Sequence, residues 1–577
     1  MKRLLHYLRP YLKWALCAIG LVVVQCLVEL LLPSVNAKIT NEIIRPEPSV
    51  AFVLRQGGIM LLFVLLSAAA TVTAGYFSSR AAMGFGKELR GAIFHKVESF
   101  SQEDMNRFGA PSLITRTTND VQQVQNVVMM FMRMMVMAPL MCLGGVVMAL
   151  SQDVALSWVI VAALPLIAGL IVLAILKGLP YFMSMQKKID RINLVLREVL
   201  SGMRVIRAFG RTHDEEKRFE EASLDLKDVS TRVGKLMGIM MPGMMLILNL
   251  VTVAILWFGS KRIDMGAMNV GAMQAFINYA TMILMSLMML SVIFVMLPRA
   301  QASAERIVEV LSVEPSMEDP AQSADRLVAR GEVSFEDVRF AYPGAQEDVL
   351  SHITFTSRAG ETTAIIGSTG SGKSTLIDLI PRMFDVSGGR ILLSGTDVRD
   401  MTQAQLRARI GYVPQKAFLF SGTIRSNLNQ GLEGATDEQM WQALRTAQAE
   451  DFVRAMPDGL DAPVAQGGTN FSGGQRQRLC IARALIRHPE VYIFDDSFSA
   501  LDFETDARLR RALASQTKEA AVFIVAQRIS TIRHADRIVV LDDGRIAGMG
   551  THEELMEGCE VYRQIALSQH AEEEKAS

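Results

Sequence analysis

The chain has 577 residues, half of them apolar, and its 59 basic residues balance 59 acidic ones. That length exceeds one ordinary domain, and a zero net charge leaves no basic surplus to mark a nucleic-acid partner. The five cysteines (Cys17, Cys26, Cys142, Cys480 and Cys559) form no C-x-x-C pair, which argues against a zinc motif or a disulfide framework and leaves them as small buried hydrophobes.

The opening MKRLLHYLRPYLKW is basic and amphipathic, with no small-residue cleavage site after its apolar stretch. It reads as an interfacial helix leading into a retained membrane span. Six apolar stretches, near 14–33, 57–77, 128–150, 154–176, 236–258 and 273–297, reach the ~20 residues that cross a bilayer. Only SQDV separates the third from the fourth. The connections between spans two and three and between four and five are long and rich in Lys and Arg. The first holds Arg80, Lys87, Arg90, Lys96, Arg107 and Arg116; the second holds Lys187, Lys188, Arg191, Arg197, Arg204, Arg207 and Arg211. This asymmetry predicts a multi-pass protein of the cell (cytoplasmic or inner) membrane, with its N-terminus, both long connections and its C-terminal domain in the cytoplasm. The helical periodicity of the connections predicts that they extend the spans rather than form loose loops.

Residues 312–332 are polar, with two prolines, and predict a linker. From 333 to about 567, strand and helix patterns interleave as in an α/β domain. The tail 568–577, SQHAEEEKAS, predicts disorder. The expected fold is thus a six-span α-helical membrane domain over 1–311 and an α/β P-loop nucleotide-binding domain over 333–567.

The stretch AIIGSTGSGKST matches G-x-x-x-x-G-K-[ST] between an apolar strand and an apolar helix. Residues Gly367, Ser368, Thr369, Gly370, Ser371, Gly372, Lys373, Ser374 and Thr375 would cradle phosphate oxygens with backbone N–H groups. Lys373 would reach the terminal phosphates of ATP, and Ser374 would offer its hydroxyl to Mg2+. Asp495 ends the apolar run VYIF, where a carboxylate can hold Mg2+ through water. Between these motifs, NFSGGQRQRLCIARAL places Ser472, Gly473 and Gly474 at a second phosphate-facing helix start. One nucleotide does not need two such cradles, so the second makes sense if it serves ATP held on another domain; the plainer alternative is a glycine-rich turn that opens a helix.

In this order and spacing, GSTGSGKST, VPQ (413–415), FSGGQRQR and YIFDD…SALD resemble the nucleotide-binding domain of an ABC transporter. With six spans ahead of it, the chain is similar to an exporter-type half-transporter that works as a dimer. The segments NRFGAPSLITRTTNDV (106–121) and REVLSGMRVIRAFGR (197–211) resemble that family's two cytoplasmic connections. The resemblance implies that Tyr342 stacks on adenine and that Gln415 contacts Mg2+ and couples to the membrane domain. It further implies that Ser472, Gly473, Gly474 and Gln475 cap the partner's ATP, and that Asp502 sits at the dimer interface.

Two positions depart from the family pattern. The residue after Asp495 is normally Glu and here is Asp496; the γ-phosphate-contacting His is replaced by Gln527 in FIVAQRIS. Losing a methylene draws the carboxylate back by about 1.5 Å, enough to cost about a hundredfold in rate. Gln donates a hydrogen bond but brings no positive charge. Both changes fall in the catalytic half of the site, while the groups that bind ATP and the signature segment remain. That selectivity resembles the heterodimeric branch of the exporters, in which one ATP site turns over slowly. The partner would be a homologous half-transporter carrying Glu and His. The alternatives are a homodimeric lipid or peptide exporter, an importer built on the exporter fold, and a non-hydrolysing regulatory subunit.

In the membrane half, Glu29 is an ionisable group within the first span and Arg133 within the third. Glu29 reads either as part of a path for cationic amphiphiles or as a group near the interface or in a structural pair; Arg133 reads as structural or as lying near the cytoplasmic end of its span. The 35 methionines, clustered at 129–137, 237–245 and 282–296, suit a pocket that repacks around varied apolar ligands, though helix packing is the usual reason for such stripes. Asn249 and Asn278 either line the same path or bridge helices. The expected cargo is a small amphiphile, drug-like or lipid, moved by alternating access in contact with membrane lipids.

Overall fold

The computed structural model describes residues 2–321 and 330–576, so 322–329 of the expected linker lie outside the described residues. The chain forms two units, Met1–Glu98 with Ala110–Val313, and Ser99–Gly109 with Glu314–Ser577.

The first unit is built of six helical rods, Leu12–Ile43, Val50–Glu98, Ala110–Gln152, Val154–Ala208, Thr212–Asp264 and Val270–Leu311. Each carries one of the six apolar stretches. Among the described residues five of the helices are long and apolar enough to cross a membrane; the remaining stretch, Val154–Leu170, opens the rod Val154–Ala208. Val50–Glu98 has 49 residues, about 74 Å at 1.5 Å per residue, more than twice the ~30 Å of a hydrocarbon core. The long connections are therefore helical extensions of the spans.

The SQDV turn closes because Asp153 leaves the helical conformation and caps the next helix, its carboxylate accepting from Leu156 N at 2.9 Å and from Arg262 Nε at 2.6 Å. In the core of this unit Tyr279 is fully buried, donating to the Leu30 carbonyl at 2.9 Å and sharing a 2.7 Å hydrogen bond with Ser34. Buried Asp120 accepts from Ser303 at 2.9 Å and from Arg306 Nε at 2.7 Å, which ties the first connection to the last rod. Glu29 accepts from Gln25 at 2.9 Å and from Ser67 at 3.2 Å. Arg133 lies exposed on a single π-helical turn, Phe131–Met135. Asn249 is exposed and Asn278 half-buried.

The structure differs from the expected domain boundary at one place. Residues 99–109, inside the first long connection, fold with the second unit. Ser101 and Asp104 form a capping box at the start of the helix Gln102–Phe108. The Ser101 hydroxyl meets Ser316 Oγ at 2.6 Å, and the Asp104 carboxylate accepts from Ser316 N at 3.3 Å. The C-terminus differs as well: the helix Glu560–Ala576 runs through the segment expected to be disordered. Its Ala, Glu, Gln and Lys residues are strong helix formers.

The second unit carries a six-stranded sheet in the order Arg545–Gly550, Arg537–Asp542, Thr362–Gly367, Ala521–Val525, Val491–Asp495, Ile410–Val413. All neighbours are parallel except the first pair. The inner strands are apolar at their centres, as strands buried on both faces must be, and Val491–Asp495 and Ala521–Val525 are buried at every position. An antiparallel sheet of Val333–Phe340 between Leu350–Ser357 and Gly388–Leu393 completes the unit. The register sets Val525 opposite both Ile365 and Asp495, so three chain segments leave the sheet side by side at its carboxyl edge, where open α/β sheets bind ligands.

Candidate nucleotide site

The first segment leaving that edge is the phosphate loop. Ser368, Thr369 and Gly370 form its exposed crest, and Ser371 and Gly372 return it to the buried start of the helix Lys373–Asp378. Gly372 has φ +92°, and a Cβ there would lie 2.8 Å from Leu350 Cδ2, so both conformation and space demand glycine. Lys373 Nζ lies over the loop, donating to the carbonyls of Gly367 at 2.9 Å and Ser368 at 2.6 Å. Burial lowers its pKa, against the pull of Asp496 and Asp495.

The second segment is Asp495–Asp496. Asp495 is 6% exposed, and Ser374 Oγ donates to its Oδ1 at 3.3 Å. Burial, then the nearby Asp378, pushes its pKa up to about 6. Magnesium prefers oxygen ligands and keeps several waters or phosphate oxygens. A hydroxyl and a carboxylate meeting at the end of the phosphate loop fit that donor set. Among the described residues no group of three His, Cys, Asp or Glu forms a cage of protein ligands alone.

Asp496 takes the left-handed conformation, φ +44°, which costs a non-glycine residue about 1 kcal/mol or more. Its N–H donates to the Val525 carbonyl at 3.0 Å, and Ser499 Oγ donates to its carbonyl at 2.9 Å. This places the carboxylate beside the third segment, Ala526–Gln527. Gln527 Nε2 donates to Asp496 Oδ2 at 3.0 Å, and Gln415 Nε2 to the same oxygen at 3.4 Å. Gln415, expected to contact Mg2+, thus lies beside Asp496. Burial raises the Asp496 pKa, opposed by hydrogen bonding and by the charge of Arg528. A cleft of about 170 Å³ adjoins this cluster, lined by Asp496, Phe498, Asp506, Gln527 and Arg528 among others.

Tyr342 is 37% exposed. Its hydroxyl pairs with Thr375 Oγ1 at 2.9 Å, and its ring meets Phe340 and Phe384 edge-on at 5.0 and 5.4 Å, so a partly open ring stands beside the phosphate loop. The signature residues form a different kind of feature. Ser472 and Gln475 make a capping box: Gln475 N donates to Ser472 Oγ at 3.3 Å and Ser472 N to Gln475 Oε1 at 2.9 Å. Asp502 caps the helix Phe503–Gln516 by accepting from Thr505 N at 2.9 Å, which lowers its pKa.

Sequence reasoning passed over Asp378 and Tyr412. Tyr412 donates to Asp378 Oδ1 at 2.9 Å behind Asp495, and burial raises both pKa values. The signal was present: Asp378 is an acid inside the apolar run TLIDLI, and such a position calls for a buried partner.

Residues 15–287 match the family model of the ABC transporter transmembrane region, and residues 350–499 match that of the ABC transporter. The chain is 44% identical over 570 residues to an uncharacterized ABC transporter ATP-binding protein of Mycobacterium tuberculosis, covering 98% of this chain and 97% of that one. It is 31% identical over 575 residues to an ATP-dependent lipid A-core flippase of Albidiferax ferrireducens, covering 98% and 97%. A bacterial Atm1-family ABC exporter solved with ATP bound shares the fold, with a TM-score of 0.79 and 23% identity over 96% of this chain and 98% of that one. With a helical membrane unit and an ATP-binding cassette in one polypeptide, this chain belongs to the ABC transporter family, as a half-transporter of the exporter type.

Proposed function

We propose that the chain is one subunit of a heterodimeric exporter, and that its own ATP site binds nucleotide with Mg2+ but turns it over slowly. The observation that carries this is Asp496. Its short carboxylate is half-buried and its Oδ2 is engaged by the amides of Gln415 and Gln527. Burial makes it a stronger base than an ordinary aspartate, so reach rather than basicity limits it. Gln527 supplies a neutral donor where charge develops in the transition state, and a neutral donor stabilises an anion less than a cation does.

The binding groups have complementary tasks. Backbone N–H groups of the phosphate loop and Lys373 take the phosphates, Ser374 and Asp495 hold Mg2+, and Tyr342 stacks on the adenine. When bound, Mg2+ neutralises phosphate charge and fixes its orientation. Ser472, Gly473, Gly474 and Gln475 complete the partner's site, and Asp502 lies at the interface between subunits. Gly473 supports that assignment, because a Cβ there would meet nothing of this chain within 4 Å. Closure of the two cassettes on ATP would turn a cytoplasm-facing cavity outward and release a small amphiphilic molecule. Glu29, hydrogen-bonded to Gln25 of its own rod and to Ser67 of the next, is the group we assign to a cationic cargo.

The test is ATP hydrolysis by the purified chain, with MgATP binding as the folding control. Binding with little turnover is expected, and Asp496→Glu with Gln527→His should raise turnover tenfold or more, on the order of the loss expected from misplacement. Vigorous turnover by the unmodified chain would replace this reading with an active homodimer, which the raised basicity of Asp496 favours.

A further inference from the structure

The loop that carries Gln527 is gripped from outside the site by one side chain of the last helix. Gln569, on Glu560–Ala576, donates from Nε2 to the Gln527 carbonyl at 2.6 Å, and its Oε1 accepts from Ile529 N at 2.8 Å. The two contacts bracket Arg528 and pin the main chain on both sides of it. Only an amide side chain donates and accepts through one planar group in this way. The helix is itself held. Tyr562 is fully buried and its hydroxyl pairs with His552 Nδ1 at 2.7 Å; Ala566 is 2% exposed. Positions 562, 566 and 569 follow the i, i+4, i+7 spacing of one helix face, so the face anchored to the sheet also presents the amide to the loop.

We propose that Gln569 is a positioning residue for the ATP site, acting through Gln527. The chain of contacts runs from Gln569 to the Gln527 main chain, and from the Gln527 amide to Asp496 Oδ2 at 3.0 Å. A shift of the loop moves that amide against the carboxylate, and displacements near 1 Å at a reacting group lower rates strongly. The inference rests on the reading of Asp496 and Gln527 as the reacting end of the site.

The experiment uses the full-length chain in lipid nanodiscs, with labelled ATP so that slow turnover is readable. Amide hydrogen exchange is followed over residues 526–532, and kcat and KM are measured for Gln569→Ala, Gln527→Ala and the double variant. In Gln569→Ala, exchange of the loop should quicken about fivefold or more, and kcat should fall about three- to tenfold with KM within about twofold, the scale of one or two lost hydrogen bonds. The double variant should be no slower than Gln527→Ala, because one residue acts through the other. Gln569→Glu keeps the acceptor for Ile529 N and loses the donor, so it should retain protection at Ile529 while matching the alanine variant in kcat. Unchanged exchange in Gln569→Ala overturns the grip. Losses that multiply in the double variant overturn action through Gln527 and leave only a structural helix. If Gln527→Ala leaves kcat unchanged, the reading of the site falls and the purpose of the grip falls with it; an intact exchange effect would distinguish that result from absence of the grip.

Discussion

At the start of the helix Lys373–Asp378 the glycines answer to a left-handed backbone and, at Gly372, to this chain's own atoms. Gly370 and Gly372 have φ of +89° and +92°, and Leu350 occupies the space a Cβ on Gly372 would need. At the start of Gly473–Leu485 the glycines meet little of it: a Cβ on Gly473 would have nothing within 4 Å, and one on Gly474 only the Ala500 carbonyl at 3.2 Å and Leu501 Cδ2 at 3.6 Å. The first helix start also has its side-chain machinery around it, with Lys373, Asp495 and Asp496 converging. The second has a capping box that satisfies its own backbone. Two motifs of similar composition thus differ in what their small residues accommodate. In one it is the fold of this chain, and in the other it is space left open on its surface.

Substitutions should separate the two. Lys373→Ala removes the cation proposed to face the phosphates and should weaken MgATP binding about a hundredfold or more, read by nucleotide titration, the scale of a lost charge-assisted contact. Gly372→Ala combines a strained conformation with a close approach to Leu350. It should destabilise the ATP-binding unit by about 1–3 kcal/mol and weaken nucleotide binding with it. Gly473→Ala should leave both the melting temperature and this chain's own MgATP binding unchanged, and reduce turnover only in the assembled dimer. A melting shift like that of Gly372→Ala would erase the distinction.

A smaller effect follows from pH. Because burial holds the Asp495 pKa at about 6, its carboxyl is protonated in the folded chain at pH values where an unfolded aspartate is ionised. On the proposed assignment of Asp495 to Mg2+, the ion must displace that proton. Mg2+-dependent nucleotide binding should therefore weaken as the pH falls from about 7 to about 5, by at most about tenfold per unit. Without metal, the raised value stabilises the folded chain most below the ordinary carboxylate range, and that contribution is lost as the pH rises through about 6. Asp495→Asn should flatten both dependences, measured by titration and by thermal melts. The smallest change concerns Ser472, whose loss to Ala removes a helix cap worth about 1 kcal/mol, with no change in this chain's own nucleotide binding.

The rods of the membrane unit were legible because apolar runs and helical periodicity are properties of neighbouring residues. The same holds for the phosphate loop, where glycine spacing and the flanking strand and helix announce the conformation. Asp495 was legible from the apolar strand ahead of it. The exception inside the membrane unit was Ser99–Gly109. It lies within a periodic helical stretch, yet it folds with the other unit because Ser101 and Asp104 bond to Ser316, more than two hundred residues away in sequence. The tail misled for the opposite reason: its charge suggested disorder, while its composition also suits a helix.

Residue order alone thus established the two kinds of unit, the six apolar rods and the ATP motifs, and the resemblance to ABC transporters marked Asp496 and Gln527 as departures. Folding decided how those positions meet. Gln415 reaches Asp496 across 81 residues, Gln527 across 31, and Gln569 reaches Gln527 across 42. Such contacts leave no periodic trace, because they depend on strand order and register in the sheet, which bring distant chain segments to one edge. The raised pKa of Asp495 is likewise a product of burial and of Asp378 lying nearby, and neither exists until the strands have packed.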